Sequence, residues 1–241
     1  MKQLDKFIEN LENIFPKRLK SVFVYGSKAS LDSDELDSDI NLMIITDTLS
    51  GEDIKKCSKP ALEWMGKSKF GLNKNLNPEP VFMGEDEWFG SADVYAMEYA
   101  DIKDNHKIVY GENLICSIKV KKEDLRLQCE AETKNLLMRF RSHYLVYANN
   151  PKETEKSITP VTKSCIAIFK TILRLKDIEV PKSKYEIVNK INQITAIDKN
   201  LFEKLLCNKE KHCKTNKKEL EQTADAIVSE LTKLLKYVNN L

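Results

Sequence analysis

Gly26 closes the apolar run "SVFVYG" and Ser27 follows it; after eleven intervening residues Asp39-Ile40-Asn41 opens a second run, "DINLMII". The types and spacing suit phosphate and cation chemistry. Backbone N–H groups of a Gly-Ser turn that leads into a helix can cradle a phosphate, and the serine hydroxyl adds a donor. Glycine lets the backbone come close. Residues 39 and 41 are two apart, so on a strand their side chains share a face. Two carboxylates so placed can hold two Mg²⁺ ions about 3.5–4 Å apart, one activating an attacking hydroxyl and the other neutralising a triphosphate.

The second position is occupied by Asn41 instead of a carboxylate. An amide offers one neutral carbonyl oxygen, which can bind one hard cation but bridges two poorly. The expected metal ligands are therefore Asp39, as the main one, and Asn41, as a weakened one. Asp37 stands two residues before Asp39, either as a partial substitute or as part of the acidic loop. Asp32, Asp34 and Glu35 read as a solvated loop. Gly26, Ser27 and Lys28 are the expected phosphate contacts, although Lys28 reads equally well as a surface lysine.

These residues need a scaffold. Leu4, Phe7, Ile8, Leu11 and Ile14 recur at helical spacing, which predicts a helix over 2–14 that ends before Pro16. Strands are predicted at 21–26, 39–45, 79–83 ("EPVFM") and 93–102 ("DVYAMEYADI"). A helix follows Ser50, an N-cap candidate with an acidic first turn, and Pro60 is expected to kink or restart it. From about residue 122 the strand-like runs stop. Helices are predicted at 123–148, 158–176, 183–193, 199–210 and 216–239, with "NNPKETEKSITP" as a polar connection. The reading is an α+β domain over 1–120, a mixed sheet with helices, then an all-α helical bundle over 121–241.

Composition excludes several classes. Lys and Arg number 39 against 37 Asp and Glu, so no global charge argues for nucleic acid or a membrane surface. No run approaches the roughly 20 apolar residues that span a bilayer, and "MKQLDKFIENLENIF" has no signal-peptide core. Six widely spaced cysteines predict free thiols in a reducing cytoplasm. Cys207, His212 and Cys213 lack the second pair of a zinc site. The basic stretch at 208–218 reads as a solvated loop, since it has no interleaved aromatics. His143 reads as a packed or solvent-facing helix residue.

The stretch "VYGS…SDINLMII" resembles the nucleotidyltransferase (DNA polymerase β-like) superfamily, whose members read close to "lfGS…SDIDLlvv". The order helix, strand, GS turn, strand, helix, strand over 1–115 is similar as well. The small-molecule members, such as aminoglycoside nucleotidyltransferases, append a helical bundle. "YAMEYADIKDNHKIVYGENLI" resembles the strand and "vLYG" helix of bacterial nucleotidyltransferases.

The resemblance implies a bound nucleoside triphosphate with Mg²⁺ between the domains. It implies transfer of a nucleoside monophosphate to a hydroxyl on an unidentified small molecule or macromolecule. It also implies a third carboxylate from a neighbouring strand, often the base, for which Glu79 and Glu98 are the candidates; neither is a third alternative, and Asp101 lies near the end of the same run as Glu98. Among the cations of the first bundle helix, Arg126, Lys134, Arg139 and Arg141, one or two are expected at the triphosphate, with Arg139 and Arg141 preferred. Glu130 and Glu132 on that helix could supply a base. Two rival expectations stand beside the enzyme: a catalytically impaired nucleotide-binding or regulatory module, and a partner-binding bundle of antitoxin type. The oligomeric state, monomer or homodimer, is left open.

Overall fold

The computed structural model describes residues 2–26, 29, 40–66, 77–211 and 217–241. The chain packs as two compact units, Met1–Val120 and Lys121–Leu241.

In the first unit, helix α1 (Lys2–Ile14) leads into strand β1 (Leu19–Tyr25). Strand β2 (Asn41–Thr46), helix α2 (Gly51–Met65) and strand β3 (Val81–Gly84) follow, then helices α3 (Glu85–Gly90) and α4 (Ala96–Asp104) and strand β4 (His106–Gly111). The described strands form one sheet in the order β3-β2-β1-β4. β1 is antiparallel to both β2 and β4, whereas β2 and β3 run parallel.

Both faces of the central strands are covered, which explains their continuous apolar runs. Val22, Val24, Leu42 and Ile44 pack with Phe7, Leu11 and Phe15 and with Trp64 of α2. Phe7 and Trp64 stack with ring centroids 5.6 Å apart. Phe23, Met43 and Ile45 face the other way, onto Trp88, Tyr99 and Ile102. There Trp88 stacks on Tyr99 at 4.5 Å, and the Tyr99 hydroxyl donates to the Trp88 carbonyl at 2.7 Å.

Helix α2 starts where the sequence indicates. The Ser50 hydroxyl accepts from the Asp53 N–H at 3.2 Å, and the Asp53 carboxylate accepts from the Ser50 N–H at 3.0 Å, a reciprocal capping box. Arg18, just before β1, grips the same carboxylate with two bonds of 2.8 and 3.1 Å. Helix α2 runs through Pro60 to Met65 without restarting.

Two expected elements differ. Residues 93–102 are not a strand. Val94 and Tyr95 are exposed in the turn before α4, whereas Ala96, Met97, Tyr99, Ala100 and Ile102 form the buried side of that helix. The β-type residues at 94–95 mimic a strand, but the burial that follows has no two-residue alternation. The fourth strand lies later, at His106–Gly111, so Val109-Tyr110-Gly111 is strand and not helix. Gly111 is required there. Its φ is +74°, and a Cβ would come 2.0 Å from the Lys20 carbonyl oxygen.

The second unit holds α5 (Lys122–Tyr147), α6 (Pro151–Leu175), α7 (Lys184–Ile194), α8 (Lys199–Lys211) and α9 (Lys217–Val238). α6 packs against each of the other four. Cys165, Ile168, Phe169, Ile172 and Leu173 are its buried side, and Phe169 meets Phe202 edge-on at 5.0 Å. The expected polar connection over 149–160 is instead the start of α6. Asn150 caps it by accepting from the Glu153 N–H, and Pro151 takes the first helical position, where its missing N–H costs nothing. Cys57, Cys129 and Cys165 are buried free thiols, and Cys116 is an exposed one. Among the described residues no helix is long and apolar enough to cross a membrane.

Candidate functional site

The strand directions collect one end of the sheet. β1 finishes where β2, β3 and β4 begin. Tyr25 pairs with Asn41 on one side and with His106 on the other. Residues directly opposite each other project to the same face. Tyr25, Asn41 and His106 therefore form a row across three strands, on the face that Phe23, Met43 and Ile108 turn toward α3 and α4. All three are half-buried. Burial pushes the Tyr25 hydroxyl above its ordinary pKa, so it remains a donor at neutral pH.

Gly26 ends β1 with φ +81°, a conformation open to glycine and strained for other residues. Its N–H donates to the Asn105 carbonyl at 3.1 Å, and its own carbonyl accepts from the Ala29 N–H at 3.0 Å. Here the sequence expectation needs adjusting. The Gly26 N–H is already engaged by the backbone and is not a phosphate donor. What the glycine contributes is clearance: a Cβ at this position would stand 3.2 Å from Asn41 Nδ2. The Asn41 side chain thus lies against the turn, at the end of the sheet. Ser27, Lys28 and Asp39, together with Asp32, Asp34, Glu35 and Asp37, lie outside the described residues.

Glu79 is two residues upstream of Val81, which pairs in parallel with Met43, itself two residues after Asn41. The carboxylate accordingly belongs to the same end of the sheet, and it is exposed. Pro80 is accommodated because β3 is an edge strand with no partner beyond it in the described sheet. Glu98 does not sit on a strand. It is exposed on the first turn of α4. Asp101 is on the same helix.

Sequence reasoning overlooked His106. Placing the fourth strand at 93–102 left this residue in a connection, whereas in the fold it is the first residue of β4. Its Nδ1 is 2.9 Å from the Ile102 carbonyl oxygen. A carbonyl only accepts, so Nδ1 carries the proton and Nε2 is the open position of the ring. The usable signal was the "HKIVYG" alternation that follows it.

The bundle residues are placed within their own unit. Arg139 and Arg141 are exposed on α5, and Arg141 Nη2 donates to Thr232 Oγ1 at 2.9 Å. Glu130 is bonded by Lys134 and by Arg126, the latter at 3.2 Å. Lys134 first, then Arg126, hold its carboxyl below the usual range, which makes it a poor base. His143 packs on Tyr147 at 4.6 Å with its Nδ1 buried. His212 and Cys213 lie outside the described residues.

A cation centre finds few donors in this set. Among the described residues no group of three or more His, Cys, Asp and Glu side chains could hold a metal ion. The Asn41 amide supplies one neutral oxygen, so the described residues alone do not fit a two-cation centre.

No family model and no curated protein matches the sequence. Among solved structures, the chain is similar to a spectinomycin adenyltransferase from Enterococcus faecialis, solved with ATP and spectinomycin. The TM-score is 0.61 at 13% identity, with 96% of this chain and 99% of that one covered. The chain shares the fold of that adenyltransferase along nearly its whole length.

Proposed function

We propose that this chain binds a nucleoside triphosphate at the sheet end marked by Gly26 and Asn41 and transfers its nucleoside monophosphate to a hydroxyl of a small molecule. The observation that carries this reading is the Asn41 side chain set against the positive-φ Gly26 turn, in a fold shared with an enzyme solved with ATP and an aminoglycoside-type acceptor. In the reaction the acceptor oxygen bonds to the α-phosphorus, the α–β bridging P–O bond breaks, and pyrophosphate leaves. Ser27 is the phosphate donor in this reading, because the Gly26 N–H is taken. Asp39 and Asn41 are the residues that would hold a Mg²⁺ ion, which would offset the negative charge of the triphosphate. Glu79, at the same sheet end as Asn41, is the base in this reading, taking the proton of the acceptor hydroxyl. A reducing cytoplasm suits its buried free thiols.

A second reading is favoured by the neutral residue at 41. The chain then retains nucleotide binding and has lost turnover, serving as a regulatory module. One experiment separates the two. The full chain is incubated with α-labelled NTPs, Mg²⁺ or Mn²⁺, and a panel of aminoglycosides and other polyhydroxylated small molecules. Label transfer that disappears in Asp39→Asn supports the enzyme. Saturable nucleotide binding without transfer supports the module, and neither result with any NTP discards both.

A further inference from the structure

His106 has one ring nitrogen committed and one open. Nδ1–H donates to the Ile102 carbonyl at 2.9 Å. The residue before it, Asn105, accepts the Gly26 N–H at 3.1 Å, and its strand partner, Tyr25, immediately precedes Gly26. The backbone that carries the ring is therefore tied to the Gly26 turn, through the Asn105 carbonyl and through strand pairing with Tyr25. It lies on the same face as Asn41 but one strand further away, with Tyr25 between them, roughly 10 Å at the normal strand spacing.

With Nδ1 carrying its proton, Nε2 is an acceptor in the neutral ring and becomes a donor only in the imidazolium. We propose that His106 is a phosphate-binding residue, contacting the triphosphate from Nε2 as the imidazolium, so that nucleotide binding takes up a proton. This rests on the nucleotide reading above. The charged and titratable groups on the elements around the ring are Glu98, Tyr99, Asp101, Lys103 and Asp104 on α4, Lys20 and Tyr25 on β1, and Lys107 and Tyr110 on β4. A cationic, hydrogen-bonding ring is the complement of a phosphate oxygen. Imidazole is also the side chain that changes charge between pH 5 and 8.

The test is calorimetric titration of Mg·ATP and Mg·GTP into the full chain at pH 6.0 and 8.0, each in two buffers of different ionisation enthalpy. The wild type is compared with His106→Asn and His106→Gln. The asparagine amide can replace Nδ1 as donor to the Ile102 carbonyl while leaving nothing at Nε2. The glutamine amide reaches the Nε2 position but carries no titrating proton. Circular dichroism confirms that each variant is folded.

The wild type is expected to bind about tenfold more tightly at pH 6.0 than at 8.0 and to take up more protons than His106→Asn. Titration of the nucleotide's own terminal phosphate is common to both proteins and cancels in the difference. His106→Asn is expected to lose that excess proton uptake together with the added affinity at pH 6.0. His106→Gln is expected to keep part of the affinity without the pH response.

Equal affinities and equal proton counts in wild type and His106→Asn overturn the proposal. So does a His106→Asn protein that keeps nucleotide affinity and loses only label transfer, because the ring then acts on the acceptor. Failure of the nucleotide reading looks different: no saturable binding of either nucleotide by the wild type at either pH.

Discussion

The side-chain amide of Asn41 stands so close to Gly26 that a Cβ there would meet its nitrogen at 3.2 Å. Turn and strand end are thus fitted to each other, and each residue limits what the other can become.

Gly26→Ala adds a methyl in contact with Asn41 and places an alanine at φ +81°. The backbone strain alone costs about 1–2 kcal/mol. Urea denaturation should show a loss of that size, with a fall in nucleotide affinity from the displaced Asn41 amide. The double variant Gly26→Ala/Asn41→Gly restores the space but not the backbone freedom. Its stability should stay below that of Asn41→Gly alone. Full recovery would mean that φ at residue 26 is not the constraint.

Asn41→Asp is nearly isosteric and puts a second carboxylate where the sequence pattern calls for one. If the sequence pairing with Asp39 holds, the new carboxylate adds a like charge without metal, which raises one of the two pKa values and lowers apo stability modestly. With Mg²⁺ and nucleotide the same charge becomes favourable, so the variant should gain more thermal stabilisation than wild type from the pair. A thermal-shift series with Mg²⁺ and each NTP measures this. Identical metal responses in the two proteins would remove residue 41 from the cation site.

The Asp53 carboxyl is held well below its ordinary pKa, chiefly by hydrogen bonding from Arg18 and then from Ser50. A depressed folded-state pKa contributes stability that is fully present above the unfolded value, about 3.9, and is lost as pH falls toward the folded one. Asp53→Asn should therefore be less stable than wild type at pH 7, with the gap closing below about pH 4. Denaturant midpoints at pH 7, 4 and 3 test the sign. A gap that persists unchanged at pH 3 would assign the stability to packing and not to the charge.

Parts of this fold were legible because local chemistry and tertiary packing agree. The Ser50 N-cap with its acidic first turn, the apolar spacing of α1, and the runs of β1 and β2 each admit a single reading. The spacing of Gly26-Ser27 and Asp39-Ile40-Asn41 pointed to the fold class. The errors fall where two signals compete. Val94 and Tyr95 have strand propensity but are exposed in a turn, and this drew the fourth strand onto what is helix α4. That shift moved Glu98 onto a strand and hid His106. The polar run after Asn149 reads as a loop because no local feature shows that α6 is held from within by its later residues, Cys165 through Leu173. The engagement of the Gly26 N–H by Asn105 could not be read locally, since the two are 79 residues apart.

The place of β1 in the sheet has a consequence for how the chain is made. Its two neighbours are β2, which begins at Asn41, and β4, which ends only at Gly111. Until that late segment leaves the ribosome, one side of β1 is an open ladder carrying Val22, Phe23 and Val24, the kind of edge that recruits foreign strands. Closing it is a long-range event, slow compared with forming α1 or the β1–β2 pair. Fragments cut between residues 104 and 106 should therefore be prone to self-association, whereas a cut after residue 120 leaves the sheet sealed.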